Sequence, residues 1–259
     1  MDDNAYGNIK KLLASTQIGD LENGLELLSK EVGNIGHEQA GELFEMVSAI
    51  FYIDPLDHPD LMPVLDEAVT LVVGFGNWVI PFLIEKLCAG DLKAQTVIAH
   101  ALGRIGADSI APLINEYQRV SDPMRRSFIL YALGKITSPE IIRALDIVLS
   151  AARSSDIELR DTATRTIGKL VESIKRSDLS EEKRLDIIEQ LKNNLSDENS
   201  GIRAKAMRSL GKLAKYGHLN KKERETLKTA CYRVLGKDRF EWDRAYVVRK
   251  QAEEVLNYL

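Results

Sequence analysis

The chain has 259 residues, of which 44% are hydrophobic, 29% charged and 6% aromatic. This composition excludes an intrinsically disordered chain, and only 7 prolines and 17 glycines exclude collagen-like and low-complexity classes. The net charge of −4 hides a split, since residues 1–90 hold 15 acidic and 4 basic residues whereas residues 91–259 hold 24 acidic and 31 basic ones. The basic part suits phosphate or an acidic protein surface, although ordinary solvated helix faces would explain many of these charges.

The N-terminal third is predicted to be helical. Leu21, Leu25 and Leu28 recur at helical spacing. The pattern predicts helices at about 4–15, 20–33, 37–53 and 60–74. The chain begins with Met1 and two aspartates and lacks an apolar stretch there, so we expect no secretory signal.

The longest uncharged run, Ala68–Ile84, has 17 residues and is only a marginal candidate for a membrane span. Gly74 and Pro81 interrupt it, which favours two buried helices joined by a turn, and we expect no membrane partner. Cys88 and Cys231 both lie in apolar helical patterns. This placement favours free thiols in a reduced, cytoplasmic setting over a disulfide framework.

One pattern repeats along the rest of the chain. Each copy has an Asp, an Arg a few residues later, small or apolar residues at helical spacing, and then Leu or Ile, Gly and a basic residue. This Leu-Gly step falls at Leu102-Gly103, Leu133-Gly134, Ile167-Gly168 and Leu210-Gly211, with Leu256-Asn257 in its place at the C-terminus. The copy at residue 103 has Gln95 in place of the Arg.

Connecting helices are predicted between the copies, at Ile110–Val120, Pro139–Ala152, Glu181–Leu195 and Lys221–Leu235. Asp122 and Ser138, each followed by a proline, predict helix N-caps. Asn220, with Glu223 three residues later, predicts a capping box. A single helix pair cannot bury both of its faces, whereas stacked pairs can.

The Asp, Arg, Ala and Leu-Gly positions resemble the HEAT-repeat family, specifically the short HEAT-like repeats of the phycobilisome-lyase type. The resemblance implies an all-α fold, a right-handed α-α superhelix (HEAT-like solenoid) of about six or seven helix pairs. Residues 1–60 are interpreted as degenerate N-terminal capping helices and residues 61–259 as HEAT-like repeats; a separate helical domain at the N-terminus is the alternative. Because many unrelated proteins use this repeat, it implies no particular activity.

The resemblance also implies a ladder of hydrogen bonds between the Asp and Arg positions of neighbouring repeats. The predicted ladder residues are Asp122, Arg126, Asp156, Arg160, Asp197, Arg203, Asp243 and Arg249. The usual separation of six residues is kept in the last two copies. In the pairs Asp122/Arg126 and Asp156/Arg160 the Asp and Arg are only four residues apart, so their pairing is left open.

In the HEAT family the second helix of each repeat, here the helix with the Leu-Gly step, lines a concave face. Stepping 100° per residue from the repeat Leu selects outward-pointing positions. The predicted partner-binding residues are His100, Arg104, Phe128, Tyr131, Lys135, Arg165, Lys169, Lys205, Arg208 and Lys212. Such a surface, aromatic near Phe128 and basic from Arg165 to Lys212, suits an acidic or amphipathic partner segment.

Structural roles are the alternative for several of these residues. A basic residue after the repeat Gly would lie near a helix C-terminus, where it stabilises the helix dipole. A structural role and a role in partner binding both stay open for the four residues that the helical spacing places on the outside, Arg165, Lys169, Arg208 and Lys212. Trp78 and Trp242 are predicted to be packing anchors at helix starts.

No catalytic residue, metal site or cofactor is predicted, because no phosphate-binding glycine loop or nucleophile elbow occurs. The 4 histidines lack metal-ligand spacing, and a di-iron hydroxylase of the HEAT type would need more His-Glu pairs than His37-Glu38. The acidic loop from Asp54 to Asp60 lacks the glycine and the terminal glutamate of a calcium loop.

The leading hypothesis is a non-enzymatic HEAT-repeat scaffold or adaptor that binds a protein partner through the concave face. One alternative is a nucleic-acid-binding protein with the architecture of HEAT-like DNA glycosylases, suggested by the basic C-terminal part. Another is a bilin-lyase-like chaperone subunit, suggested by the repeat type. The opposite charges of the two ends also predict head-to-tail self-association, with residues 1–60 of one copy on the basic face of another.

Overall fold

The structure, a computed structural model, describes residues 3–32, 37–54, 56–89, 91–238 and 241–259. Within these ranges the chain is built from helices, turns and loops, and no strand occurs. Two compact units are present, Met1–Glu116 and Tyr117–Leu259, which we call unit 1 and unit 2. The predicted boundary at residue 60 separates degenerate from regular repeats, which differs from the division into compact units. It stays a prediction.

Unit 1 is built from packed α-helices, and 3₁₀ turns lie in some of the connections between them. Its first four helices agree with the predicted ones to within a few residues, apart from a 3₁₀ turn at Ala49–Tyr52. Its helices are α1 (Asp3–Leu13), α2 (Ile18–Val32), α3 (His37–Ser48), α4 (Met62–Gly74), α5 (Ile80–Ala89) and α6 (Leu92–Ile105). The division between the units falls within α7 (Ile110–Arg119).

The uncharged run at 68–84 forms two helices, as predicted. The segments Pro59–Gly74 and Asn77–Cys88 meet at a bend of 106°, and they reach the length and apolarity of a membrane span only when taken together. Another stretch, Leu92–Arg119, is by itself long and apolar enough to cross a membrane. In the protein, 44% of its most apolar 18-residue segment is buried. Gly106, with φ of +84°, opens a 3₁₀ turn inside this stretch and separates α6 from α7.

Unit 2 has two layers of helices. One layer is a row in which α8 packs on α10, α10 on α12 and α12 on α14. We call this layer the Leu-Gly row, because its helices carry the repeat step: α8 (Pro123–Leu133), α10 (Ile157–Ser173), α12 (Ser200–Lys215) and α14 (Tyr246–Leu256). The connecting helices are α9 (Leu145–Ala151), α11 (Glu181–Asn194) and α13 (Lys221–Val234).

Capping side chains begin these helices where the sequence places them. Asp122 accepts from the amide of Arg125 at 3.1 Å, and Ser138 caps the 3₁₀ turn that precedes α9. Asn220 and Glu223 form the complete capping box of α13. These three predictions are confirmed, and each cap satisfies amide groups that a helix start would otherwise leave without partners.

Two glycines of the repeat lie inside helices and allow the Leu-Gly row to pack closely. A Cβ at Gly168 would lie 2.4 Å from the Oγ of Ser209, and one at Gly211 would lie 2.4 Å from a methyl group of Val255. Gly134, by contrast, is the C-cap residue of α8. The repeat glycine is therefore chiefly a contact point between neighbouring repeats, and it ends a helix only in the α8 copy of unit 2.

Candidate partner-binding surface

Two rungs of the predicted ladder join neighbouring repeats. The Nε of Arg160 donates to the carboxylate of Asp197 at 2.7 Å. In the next repeat, Arg203 makes a two-pronged contact with Asp243, through Nε at 2.7 Å and Nη2 at 2.9 Å. Each Arg thus pairs with the Asp of the following copy, and paired geometry of this kind is among the stronger side-chain interactions.

Asp122 and Asp156, which were expected in the ladder, serve instead as helix caps. Asp156 accepts from the amide of Leu159 at 2.8 Å, in the same way that Asp122 accepts from that of Arg125. The spacing explains the difference: an Asp four residues before its Arg is the N-cap itself. An Asp six residues before its Arg lies outside the helix, and α12 is capped by Asn199 instead.

All four arginines predicted for the ladder make one kind of contact in common. Each donates to the backbone carbonyl six residues earlier, at distances between 2.6 and 2.8 Å, for Arg126, Arg160, Arg203 and Arg249. Arg126 also lies 5.0 Å from the ring centre of Tyr117. These arginines therefore hold the loop before each helix, which makes them structural residues.

An aromatic and basic cluster lies on the first half of the Leu-Gly row. The Nζ of Lys135 is 4.8 Å, and the guanidinium of Arg165 5.4 Å, from the ring centre of Tyr131. Arg165 is exposed, whereas Tyr131, Lys135 and neighbouring Phe128 are half-buried. We call Tyr131, Lys135 and Arg165 the tyrosine cluster; its two cations already occupy favourable positions around a ring.

Further along the row, acidic side chains neutralise most of the predicted basic residues. Lys205 donates to the carboxylate of Asp161, and Glu172 lies 2.5 Å from Lys212 and 3.5 Å from Lys169. Burial is the main cause that lowers the pKa of Lys212. The expected basic stretch is thus a mixed surface, because an acidic residue of one helix faces a lysine of the same or the next helix.

Arg208 is the exposed exception in this stretch. Its Nε donates to the side-chain oxygen of Gln251 at 2.6 Å. Gln251 is itself buried and lies on the neighbouring helix α14. The contact orients the guanidinium without cancelling its charge.

His100 and Arg104 belong to unit 1, on α6. Both are exposed, and Arg104 donates to Asp66 at 3.1 Å and to Thr70 at 2.9 Å. The remaining eight predicted surface residues lie in unit 2. The candidate surface is therefore defined here on unit 2 alone.

A cavity of about 210 Å³ lies at the C-terminal ends of α12 and α14, beside Glu172 of α10. It is lined by Arg208 and Lys212, which the sequence pattern selected, and by Lys215, Tyr216 and Tyr258, which it missed. Lys215 follows Lys212 by three residues in the last turn of α12. The signal that could have found these residues is the joint clustering of Lys and Tyr at two helix ends.

A buried ionic network on α11 and α13 also escaped the sequence analysis. Arg184 is only 2% exposed and donates to both carboxylate oxygens of Glu223, at 2.7 and 2.8 Å, and to the carbonyl of His218. Hydrogen bonding to Arg184 lowers the pKa of Glu181 to about 2. Nothing in the local pattern distinguishes Arg184 from a solvated helix residue.

The prediction for Trp242 is wrong, and the one for Trp78 holds. Trp242 is 60% exposed and lies in the loop before α14. Trp78 stacks on Phe75 with ring centres 5.3 Å apart and meets Phe82 edge-on. An aromatic residue before a helix packs only where a neighbouring element covers it, which local sequence does not specify.

Asp54, the first residue of the acidic segment, forms an ion pair with Lys93. The carboxylate of Asp54 lies 2.7 Å from the Nζ of Lys93, and the hydrogen bond with this lysine lowers the pKa of Asp54. Among the described residues, no group of three His, Cys, Asp or Glu side chains could hold a metal ion. The side chains of His37 and Glu38 lie outside the described residues. Cys88 and Cys231 are not joined in a disulfide.

Comparison with known proteins identifies the repeat. Residues 127–230 match the family model of GCN1-like, C-terminal HEAT repeats, a stretch that runs from α8 into α13. The resemblance found in the sequence is therefore confirmed. No curated protein sequence gives a significant match to the chain.

Solved structures agree on the fold. A chain of the complex of CpcE and CpcF of phycocyanin lyase from Nostoc sp. PCC7120 aligns with a TM-score of 0.54 and 20% identity, covering 69% of this chain and 98% of that one. A second match is a chain from a structure of Kap95p with RanGDP, in which Kap95p binding induces the switch loops of RanGDP to adopt the GTP-bound conformation. It aligns with a TM-score of 0.60 and 10% identity, and the alignment covers 93% of this chain and 36% of that one. At such identities the likeness concerns the fold alone, and the predicted all-α HEAT-like solenoid is confirmed.

Proposed function

We propose that this HEAT-repeat chain is a non-enzymatic scaffold that binds a protein partner through the Leu-Gly row of unit 2. The observation that carries the proposal is the tyrosine cluster, in which Lys135 and Arg165 flank the ring of Tyr131 at 4.8 and 5.4 Å. Tyrosine and arginine are the residue types in which protein interfaces concentrate their binding energy. An ordered cluster also loses little side-chain entropy on binding.

The charge pattern favours a protein partner over nucleic acid. A phosphate-binding surface presents cations that are free to replace counterions. Here Lys205 is paired with Asp161, and Lys212 with Glu172. A surface of mixed charge selects its partner by electrostatic complementarity, as protein interfaces do.

The structural neighbours support a partner of this class. The CpcE and CpcF chains form a complex with one another, and Kap95p binds RanGDP. Helical-repeat proteins present extended surfaces because each repeat contributes one helix to the same layer. The bilin-lyase alternative rests on repeat type alone and stays a prediction.

The test is a charge reversal within the tyrosine cluster. The variant K135E/R165E should lose at least about tenfold of the partner captured from a native lysate, because it removes both cations beside Tyr131. K192E/K222E is the matched control, since it makes the same charge change at exposed positions on α11 and α13. Equal capture of every partner by the wild type and both variants would refute this surface.

Nucleic acid is examined in the same series. Binding of duplex or single-stranded DNA by the wild type that falls steeply with salt and disappears in K135E/R165E would support the alternative instead. We expect no retardation of either form at low salt. The two readouts use the same residues and separate the two classes of partner.

A further inference from the structure

The cavity at the ends of α12 and α14 combines cations with aromatic rings. Its volume is about 210 Å³, below the size of typical small-molecule pockets and suited to a single side chain. Arg208, Lys212 and Lys215 come from successive turns of α12. Tyr216 and Tyr258 line it as well, so a ligand there meets positive charge and aromatic surface together.

Two of the three cations have no carboxylate partner among the described residues. Arg208 uses its Nε on the neutral side chain of Gln251, which leaves the two terminal nitrogens of its guanidinium for another acceptor. Lys215 lies over the rings of Tyr216 and Tyr258, at 5.6 and 5.4 Å from their centres. Both side chains are exposed, and both line the cavity.

The third cation shows what kind of group the cavity accepts. The Oε1 of Glu172 lies 2.5 Å from the Nζ of Lys212, and the same oxygen lies 3.5 Å from the Nζ of Lys169. Glu172 thus acts as an internal carboxylate at the edge of the cavity. A carboxylate from another molecule would find similar donors on Arg208 and Lys215.

On the aromatic side of the cavity, a hydrogen bond fixes the backbone of Tyr258. The carbonyl of Tyr258 accepts from Arg224 on α13 at 2.9 Å. Val255 is buried, lines the cavity and adds an apolar surface. This side favours an apolar residue next to the acidic one.

We propose that the cavity binds a glutamate or aspartate of a partner peptide, with its carboxylate between Arg208 and Lys215 and an adjacent apolar side chain against Tyr216 and Tyr258. This inference rests on the proposed scaffold function and assigns one anchor of the partner. Glu172 and Glu254 also line the cavity, so a single negative charge fits better than a doubly charged phosphate.

Fluorescence polarisation with two labelled peptides tests the proposal directly. The probe is a fluorescein-labelled peptide of repeating Glu-Leu-Gly units, and its counterpart carries Gln in place of Glu. The wild type should bind the Glu peptide about tenfold more tightly than the Gln peptide. R208Q/K215Q should lose this difference, whereas K221Q/K222Q, exposed at the start of α13, should keep it.

A second variant gives an effect of opposite sign. Glu172→Gln removes the internal carboxylate and frees Lys212, so the Glu peptide should bind about threefold more tightly. Circular dichroism melting checks that all variants are folded. Absence of binding by the wild type, or equal affinity of the wild type and R208Q/K215Q for the Glu peptide, would overturn the proposal.

The two proposals fail in different ways. If peptide binding ignores Arg208 and Lys215 while partner capture still depends on Lys135 and Arg165, the cavity assignment is wrong and the scaffold function stands. If capture ignores the tyrosine cluster as well, the scaffold surface itself is wrong. The residue pairs share no member, so each result has one interpretation.

Discussion

At the scale of single residues, the roles of charged side chains depend on partners far away in the chain. Arg184 is buried because Glu223, 39 residues later, supplies both carboxylate oxygens at its guanidinium, and Glu181 supplies a further carboxylate. Taking an arginine out of water is costly, and the cost is offset only when its donors find acceptors of good geometry. The same composition without this geometry would place Arg184 in solvent.

Substitution of Glu223 is predicted to destabilise the protein strongly. Glu223→Ala removes the two-pronged partner of buried Arg184 and also breaks the capping box of α13. We expect a loss of about 2–4 kcal/mol in the free energy of unfolding. Urea unfolding measures it, with Glu225→Ala, an exposed position on the same helix, as the control. A loss no larger than that of the control would show that the network contributes nothing.

At the scale of elements, glycine sets how closely the helices of the Leu-Gly row approach. α10 and α12 meet at Gly168, and α12 and α14 meet at Gly211, where a side chain would overlap its neighbour. Glycine inside a helix normally costs about 1 kcal/mol relative to alanine. The sequence retains it because the gain from close packing between repeats exceeds that cost.

Substitution of the repeat glycine is predicted to lower stability despite better helix propensity. Gly211→Ala places a Cβ 2.4 Å from Val255, which forces the helices apart at a cost of about 1–3 kcal/mol in thermal or urea unfolding. Gly7→Ala is the contrasting variant, because an added Cβ there meets open space inside α1. That variant should be neutral or stabilising, and stabilisation by Gly211→Ala would contradict the packing role.

At the scale of the whole molecule, the distribution of charge is uneven. Residues 1–90 carry 15 acidic and 4 basic residues, whereas the chain as a whole carries 39 and 35. The tyrosine cluster and Arg208 place exposed positive charge on unit 2. The earlier prediction that residues 1–60 of one copy meet the basic face of another rests on this contrast and remains a prediction.

Self-association at low salt is the expected outcome. Screening lengths fall from about 30 Å at 0.01 M salt to about 3 Å at 1 M, so an electrostatic contact between copies should weaken accordingly. Sedimentation velocity at several concentrations should show larger species at low salt that dissociate at high salt. K135E/R165E should reduce them, and K192E/K222E should not. A strict monomer at low salt and high concentration would exclude the contact.

The sequence by itself determined the helices and the repeat. Helical periodicity, N-caps such as Asp122 and the capping box at Asn220 act within a few residues of each other, so a linear pattern contains them. The in-phase Leu-Gly steps also identified the HEAT repeat, because stacked pairs require the same contact surface in each copy.

Only the tertiary structure decided which charges face which. Arg160 pairs with Asp197, Arg203 with Asp243 and Lys205 with Asp161, at separations of 37, 40 and 44 residues. Repeats here differ in length, so no fixed spacing encodes these pairs. For the same reason the cavity around Lys215 and Tyr258 was missed, since its walls come from different helices that meet only when the repeats stack.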